Sequence, residues 1–209
     1  MNKLGILVFL IVGFLSSCEK NSNNDNPADN LDSLLIIGEA QVKLTLLDTT
    51  IYPSDRCDSL LYEIDIDSDG INDFQFYVYY CYSPCIYMSN MRLDCLTKNS
   101  KILTNDTIQT PEILDISDTL QSKGNWISQR FDMLSTSGMS GLCDGDGIIH
   151  TYGNWHDLTN KYIGIKIEKE DYIILGWIKL SINKTNNDFP IELHEIGYKK
   201  AAYNNVYSK

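Results

Sequence analysis

The 209-residue sequence predicts an all-β fold, a single antiparallel β-sandwich-like domain with a short helical segment at most. Three observations lead there. Several segments alternate apolar and polar side chains with period two. Turn residues punctuate the chain at Pro53-Ser54-Asp55, Asn99-Ser100, Gly145 to Gly147 and Asn186-Asn187-Asp188. No stretch of helical period runs longer than about two turns. "PEILDISDTLQ", from Pro111 to Gln121, is the best helical candidate.

The chain begins "MNKLGILVFLIVGFLSSCEK". Lys3 supplies a positive charge, and Leu4 to Leu15 form an apolar run too short for a permanent span. Leu15-Ser16-Ser17-Cys18 then matches a lipobox, with small residues before the cut and a thiol to take diacylglycerol. Residues 1–17 are therefore expected to be a lipoprotein signal peptide, with Cys18 as the lipidation site. Acyl chains on Cys18 anchor a protein to a membrane without a transmembrane helix, at about 0.8 kcal/mol per buried methylene. An ordinary secretory signal with a chance cysteine is the alternative. Residues 18–33, including "EKNSNNDNPADN", are polar and too poor in apolar side chains to offset ordering entropy. They are expected to form a flexible tether, with the β-domain spanning 34–209.

The domain opens with "LLIIGEAQVKLTLL", an apolar run in which Val42, Leu44 and Leu46 then alternate with Lys43 and Thr45. "LLYEIDI" and "FQFYVYY" follow. In the second, Phe74, Phe76, Val78 and Tyr80 share one face and Gln75, Tyr77 and Tyr79 the other. "KYIGIKIE" puts Ile163, Ile165 and Ile167 on one face. "YIILGWIKLSIN" sets Ile174, Gly176, Ile178, Leu180 and Ile182 against Trp177, Lys179 and Ser181. "PIELHEIGYK" alternates less cleanly.

Between two of these strands lies "EIDIDSDGINDFQF". Counting Asp65 as position 1, carboxylates fall at 1, 3, 5 and 9: Asp65, Asp67, Asp69 and Asp73. Gly70 at position 6 permits a sharp turn, and Ile71 at position 7 offers a backbone carbonyl. Alternate spacing lets the side chains converge as the chain curls around an ion. Phe76 stands where an EF-hand needs Glu, and the flanks are strands, so the loop is not an EF-hand. Two such charges about 4 Å apart repel by roughly 4 kcal/mol at an effective dielectric near 20. A hard dication removes that repulsion, and Ca2+ suits a flexible oxygen loop better than Mg2+. The loop supplies no nucleophile or base, so the expected ion is structural. A solvated Asp-Gly hairpin with carboxylates pointing apart is the alternative. Cys143-Asp144-Gly145-Asp146-Gly147 carries only two acids and is expected to be a glycine-rich turn.

Cys57, Cys81, Cys85, Cys95 and Cys143 follow Cys18, an odd number that leaves one without a partner in the chain. A turn at Ser83-Pro84 would bring Cys81 and Cys85 within disulfide reach, and this pair is the candidate disulfide. A zinc site combining cysteines with His150 and His156 is the alternative, though a tight Cys-x-x-Cys is missing. Loss of the signal peptide leaves 16 basic and 28 acidic residues, a net charge of −12. That charge argues against a nucleic-acid partner or a basic membrane patch.

"YEIDIDSDGINDFQF", "KYIGIKIEKEDYIILGWIKLSI" and "IELHEIGYKKAAY" together resemble uncharacterised Bacteroidetes-type secreted lipoproteins. Those share an Asp-x-Asp-x-Asp-Gly calcium-type loop and a C-terminal Gly-Trp-Ile-Lys-Leu strand. The resemblance implies a β-sandwich-like domain, a secreted life and no catalytic residues.

These features predict a cell-envelope lipoprotein on the outer membrane, at its periplasmic or surface face. Its expected role is a calcium-stabilised, non-catalytic module that binds glycan or another extracellular ligand. Tyr77, Tyr79, Trp126 and Trp155 are candidate stacking faces for sugar, with Tyr82 and Tyr87 beside them. The other readings are a hydrolase acting through paired carboxylates and an assembly protein that binds an envelope partner. No Gly-x-Ser-x-Gly or His-Glu-x-x-His occurs, and spacing singles out no carboxylate pair.

Overall fold

Period-two segments become strands, and strands that the alternation rule misses complete the sheets between them. The computed structural model describes residues 34–53, 57–105, 110–139, 143, 147–184 and 189–202. Residues 1–33, which hold the expected signal peptide, Cys18 and the expected tether, lie outside the described residues, as do Ser54, Asp55, Gly145 and Asn186 to Asp188. The strands are β1 (Leu34–Ile36), β2 (Lys43–Ile51), β3 (Asp58–Ile64), β4 (Phe74–Tyr82) and β5 (Ile86–Cys95). Next come β6 (Ser100–Leu103), β7 (Thr119–Gln121), β8 (Trp126–Ile127) and β9 (Arg130–Met139). The last four are β10 (Ile149–Tyr152), β11 (Leu158–Glu168), β12 (Tyr172–Ile182) and β13 (Ile191–Ala202). The described residues contain no α-helix.

The strands form three layers. A five-stranded sheet runs β10-β9-β5-β4-β3, and a six-stranded sheet runs β2-β13-β12-β11-β6-β8. A ribbon of β1 and β7 completes the set. Strand neighbours are antiparallel throughout. The main core fills the space between the two large sheets. Phe74, Phe76 and Val78 from β4 meet Ile163, Ile165 and Ile167 from β11 and Ile174, Ile178 and Leu180 from β12. These are the inward faces expected from alternation.

A second core lies on the other side of the six-stranded sheet. Leu35 and Leu120 from the ribbon pack with Tyr162, Ile173, Leu175 and Trp177. Strands β11 and β12 are thus buried on both faces, and this is why they read as nearly continuous apolar runs. Trp177 lies across Gly197 of β13, its register partner, and an added Cβ there would overlap the indole. The Gly-Trp-Ile-Lys-Leu strand and the glycine of "EIGY" are therefore two halves of one packing unit.

Segment Pro111 to Gln121 is not helical. Pro111 bridges Thr104, Leu114 bridges Tyr162, and the chain then turns into β7. Asp118 closes that turn by accepting a hydrogen bond from the Asp115 N–H at 2.7 Å, with Ser117 at φ 75°. The apolar spacing that mimics a helical face serves two bridges and a ribbon strand. The untidy alternation of β13 has a local cause. Its register shifts between Leu193 and Glu195, leaving His194 as the extra residue of a bulge. The inward set passes from Ile191 and Leu193 to Ile196 and Tyr198.

The Cys81–Cys85 expectation is corrected. Cys57 is bonded to Cys81, and Cys85 to Cys143. The Ser83-Pro84 turn does form, with the Ser83 hydroxyl accepting from the Cys85 and Ile86 N–H groups. Yet Cys81 sits in β4 opposite Met88, while Cys85 lies in the turn. Strand pairing carries Cys81 toward the start of β3, where Asp58 faces Tyr80. With four cysteines in disulfides, the zinc alternative keeps at most one sulfur ligand among the described residues. Cys95 is the free cysteine among the described residues. Burial pushes its thiol up to about 11, which makes it inert at neutral pH.

Candidate metal centre

The acidic loop joins β3 to β4 at one end of the sandwich. Its backbone curls because Asp65 draws three N–H groups onto its carboxylate. Oδ1 accepts from Ser68 at 2.8 Å and Asp69 at 3.3 Å, and Oδ2 accepts from Gly70 at 2.8 Å. Ser68 and Gly70 both adopt positive φ, 63° and 86°, so the glycine at position 6 meets a real backbone demand. Beneath the loop, the Glu63 side chain accepts from Asn72 and from Gln75, tying the strand ends together.

Asp65, Asp67 and Asp73 converge, each offering a carboxylate oxygen within 4.8 Å of the others'. Asp73 is the buried floor of the group, only 2% exposed. Its Oδ2 accepts from the Ile66 N–H at 3.0 Å and its Oδ1 from the Ser100 hydroxyl at 3.3 Å. Burial raises its pKa above the ordinary carboxylate value, the Ile66 N–H partly offsets this, and the neighbouring Asp67 charge adds to the rise. The Asp67 side chain is only 2% exposed. Its Oδ1 is buried without a hydrogen-bond partner. A buried carboxylate oxygen left unpaired is costly, and this one sits in a cluster of like charge.

The cation that reaches the loop in this structure is Lys169, from the turn between β11 and β12. Its Nζ lies 2.9 Å from Asp67 Oδ2 and 2.7 Å from Asp69 Oδ2. Burial acts to lower the Lys169 pKa, but hydrogen bonds to Asp69 and Asp67 outweigh it and the net shift is upward. Asp69 shifts downward, first through Lys169 and then through the Ile71 N–H it accepts at 2.9 Å. Asp69, expected at the fifth ligand position, is thus turned to Lys169 and stands apart from the converging three. Ile71 exposes 58% of its surface, which leaves its side chain outside the cluster.

The set fits a hard cation. All its donors are oxygens, and the oxygens already holding N–H groups keep a second lone pair. Asp67 Oδ1 is the atom whose burial a cation would offset. Among the described residues, no other group of three metal-ligating side chains converges this way. The sequence did not single out Lys169, because it lies 100 residues beyond Asp69 and no local pattern joins them.

The candidate stacking residues do not form one platform. Tyr77 and Tyr79 are half-buried on the outer face of the five-stranded sheet, and the Arg92 guanidinium already lies 4.2 Å from the Tyr77 ring centroid. Trp126 stands on β8 at the edge of the other sheet, with Lys166 over its ring and its N–H donated to the Gln121 carbonyl. Trp155 is corrected outright. It is fully buried in the main core and donates to the Pro111 carbonyl at 3.0 Å. Tyr87 is buried too and packs edge-on against Tyr80, whereas Tyr82 is 46% exposed. His150 lies on β10, and His156 sits 3.6 Å from Asp157; neither belongs to the converging group of Asp65, Asp67 and Asp73.

Comparison with known proteins adds no relative. No family model matches the chain, and no curated protein or solved structure matches it.

Proposed function

We propose that this chain is a lipid-anchored module of the bacterial cell envelope, of the Bacteroidetes-type lipoprotein kind. Its β3–β4 loop binds Ca2+, and its role is to bind an extracellular ligand rather than to catalyse. The observation that carries the ion is the buried Asp67 Oδ1, unpartnered beside the carboxylates of Asp65 and Asp73. The two disulfides favour an oxidising compartment, and the lipobox at Cys18 supplies the anchor.

The test is thermal melting of metal-free protein against calcium. Extracellular loops of this class bind at about 10⁻⁴ to 10⁻³ M. Stability should rise by about 2.7 kcal/mol at a hundredfold excess over Kd. Magnesium should do much less, since it sheds water reluctantly. A Tm indifferent to calcium and chelator would reject the ion. For the anchor, Cys18→Ser should abolish labelling by a fatty-acid analogue; persistent labelling would reject the lipobox.

A further inference from the structure

A pocket of about 330 Å3 opens beside the acidic loop, lined by Gln41, Lys43, Asp67, Tyr198, Lys199 and Lys200. Its construction follows from strand register. Lys43 and Tyr198 form the end of the β2–β13 pairing, so Lys199 and Lys200 lie beyond it and extend the wall. Lys43 lies over the Tyr198 ring, 5.3 Å from its centroid. Lys200 lies 5.0 Å from the Tyr172 ring, and Lys199 reaches Glu39 only at 4.0 Å. Two ammonium groups, those of Lys43 and Lys200, thus share the Tyr198 face of the sheet in a chain whose net charge is −11, while alternation turns the Lys199 side chain to the other face. Every lining side chain carries a hydrogen-bonding group and none is aliphatic. Such a wall suits a small, hydrophilic anion.

Asp67 is the one acidic residue in that wall, and it also belongs to the converging carboxylates. It acts on Lys43 electrostatically, and the Tyr198 interaction followed by the Asp67 charge holds Lys43 above the ordinary lysine value. With its charge only partly offset by Lys169, Asp67 repels an anion from the pocket. A dication at Asp65, Asp67 and Asp73 reverses that field. It also competes with Lys169 for Asp67, leaving one more ammonium group beside the loop.

We propose that the Lys43–Lys200 pocket binds an acidic saccharide through its carboxylate, and that it does so more tightly when the neighbouring loop holds calcium. The proposal rests on the loop being a calcium site. The lysines take the carboxylate as point charges, and Gln41 and the Tyr198 hydroxyl serve the sugar hydroxyls. Because the two sites share Asp67, their affinities are linked and each ligand strengthens the other by the same factor.

The experiment measures the calcium midpoint of thermal stabilisation at fixed ionic strength and buffered free calcium, with glucuronate, glucose or acetate added. Glucuronate should lower the midpoint at least about threefold, the same factor by which calcium tightens glucuronate. Glucose and acetate should leave it unchanged. Lys43→Met, which keeps an apolar stem over Tyr198, should retain the calcium response and lose the glucuronate effect. A calcium response indifferent to glucuronate overturns the pocket while leaving the ion in place. An equal effect of acetate overturns the saccharide, and no calcium response at all removes both readings.

Discussion

Two regions of this molecule each bury a polar atom without a hydrogen-bond partner, and they resolve it differently. One is Asp67 Oδ1 in the acidic loop, and the other is the indole Nε1 of Trp177 in the second core. Trp177 is neutral, and its surroundings are Leu35, Leu120, Tyr162 and Leu175. The ring area it buries outweighs one lost N–H bond. Asp67 is charged, and its neighbours Asp65 and Asp73 are acids. Packing cannot offset a buried charge among like charges, and only another charge can. Lys169 supplies part of it from inside the chain. Orphaned polar atoms thus point to a ligand only when the field around them calls for one.

The largest effect expected on this contrast is at Trp177. Trp177→Ala should cost about 3–5 kcal/mol in denaturant unfolding, through the cavity left over Gly197. The loss should be the same in calcium and in chelator. A calcium-dependent loss would show that the two regions are one cooperative unit. Trp177→Phe should cost much less, since no indole hydrogen bond is there to lose.

Next is Asp67→Asn. It should erase the calcium-dependent stabilisation, about 2.7 kcal/mol at a hundredfold excess over Kd, and leave chelator-treated protein near its parent. If the asparagine variant still responds fully, Asp67 is no ligand and the contrast with Trp177 fails.

Lys169→Met should have a smaller effect with opposite signs in the two states. Without calcium it loses a half-buried ion pair worth about 1 kcal/mol. With calcium, removal of a competing tethered cation should tighten binding. Weaker calcium binding in this variant would mean that Lys169 organises the loop rather than standing in for the ion.

The smallest effect concerns Cys95, a half-buried thiol that donates to the Ile127 carbonyl at 3.9 Å. It should behave like Trp177, neutral and silent towards calcium. Its folded pKa, about 11, exceeds the ordinary 9.0, so the neutral thiol is favoured by folding. That contribution is complete below pH 9.0 and is lost as pH rises towards 11. Alkylation by iodoacetamide should therefore reach half its maximal rate near pH 11 in the native protein and near 9 in urea. Rapid native labelling at pH 8 would show the thiol to be ionised and exposed.

Much of the strand pattern was legible without the structure. Strands β4, β11 and β12 carry inward Phe, Val and Ile at strict alternation, because one face of each meets the main core. Strands β5 and β9 were not legible. Their inward positions include Ser89 and Thr136, both buried and bonded hydroxyl to hydroxyl at 2.6 Å. A polar pair that satisfies itself across two strands looks, in either strand alone, like a surface residue. The bulge at His194 hid the alternation of β13 in the same way, since a register shift is a property of the pair.

The sequence by itself determined the all-β class and the acidic loop, because both are written in local periodicity: two residues for a strand, alternate aspartates and a glycine for the turn. Only the tertiary structure decided the rest. It separated Asp69 from Asp65, Asp67 and Asp73, brought Lys169 to the loop and paired Cys57 with Cys81 and Cys85 with Cys143. It sent Trp155 into the core and left Lys43 and Lys200 beside one pocket. Each of these outcomes depends on which strands become neighbours. Neighbourhood is set by burying all the apolar faces at once, a sum over the whole chain that no local window contains.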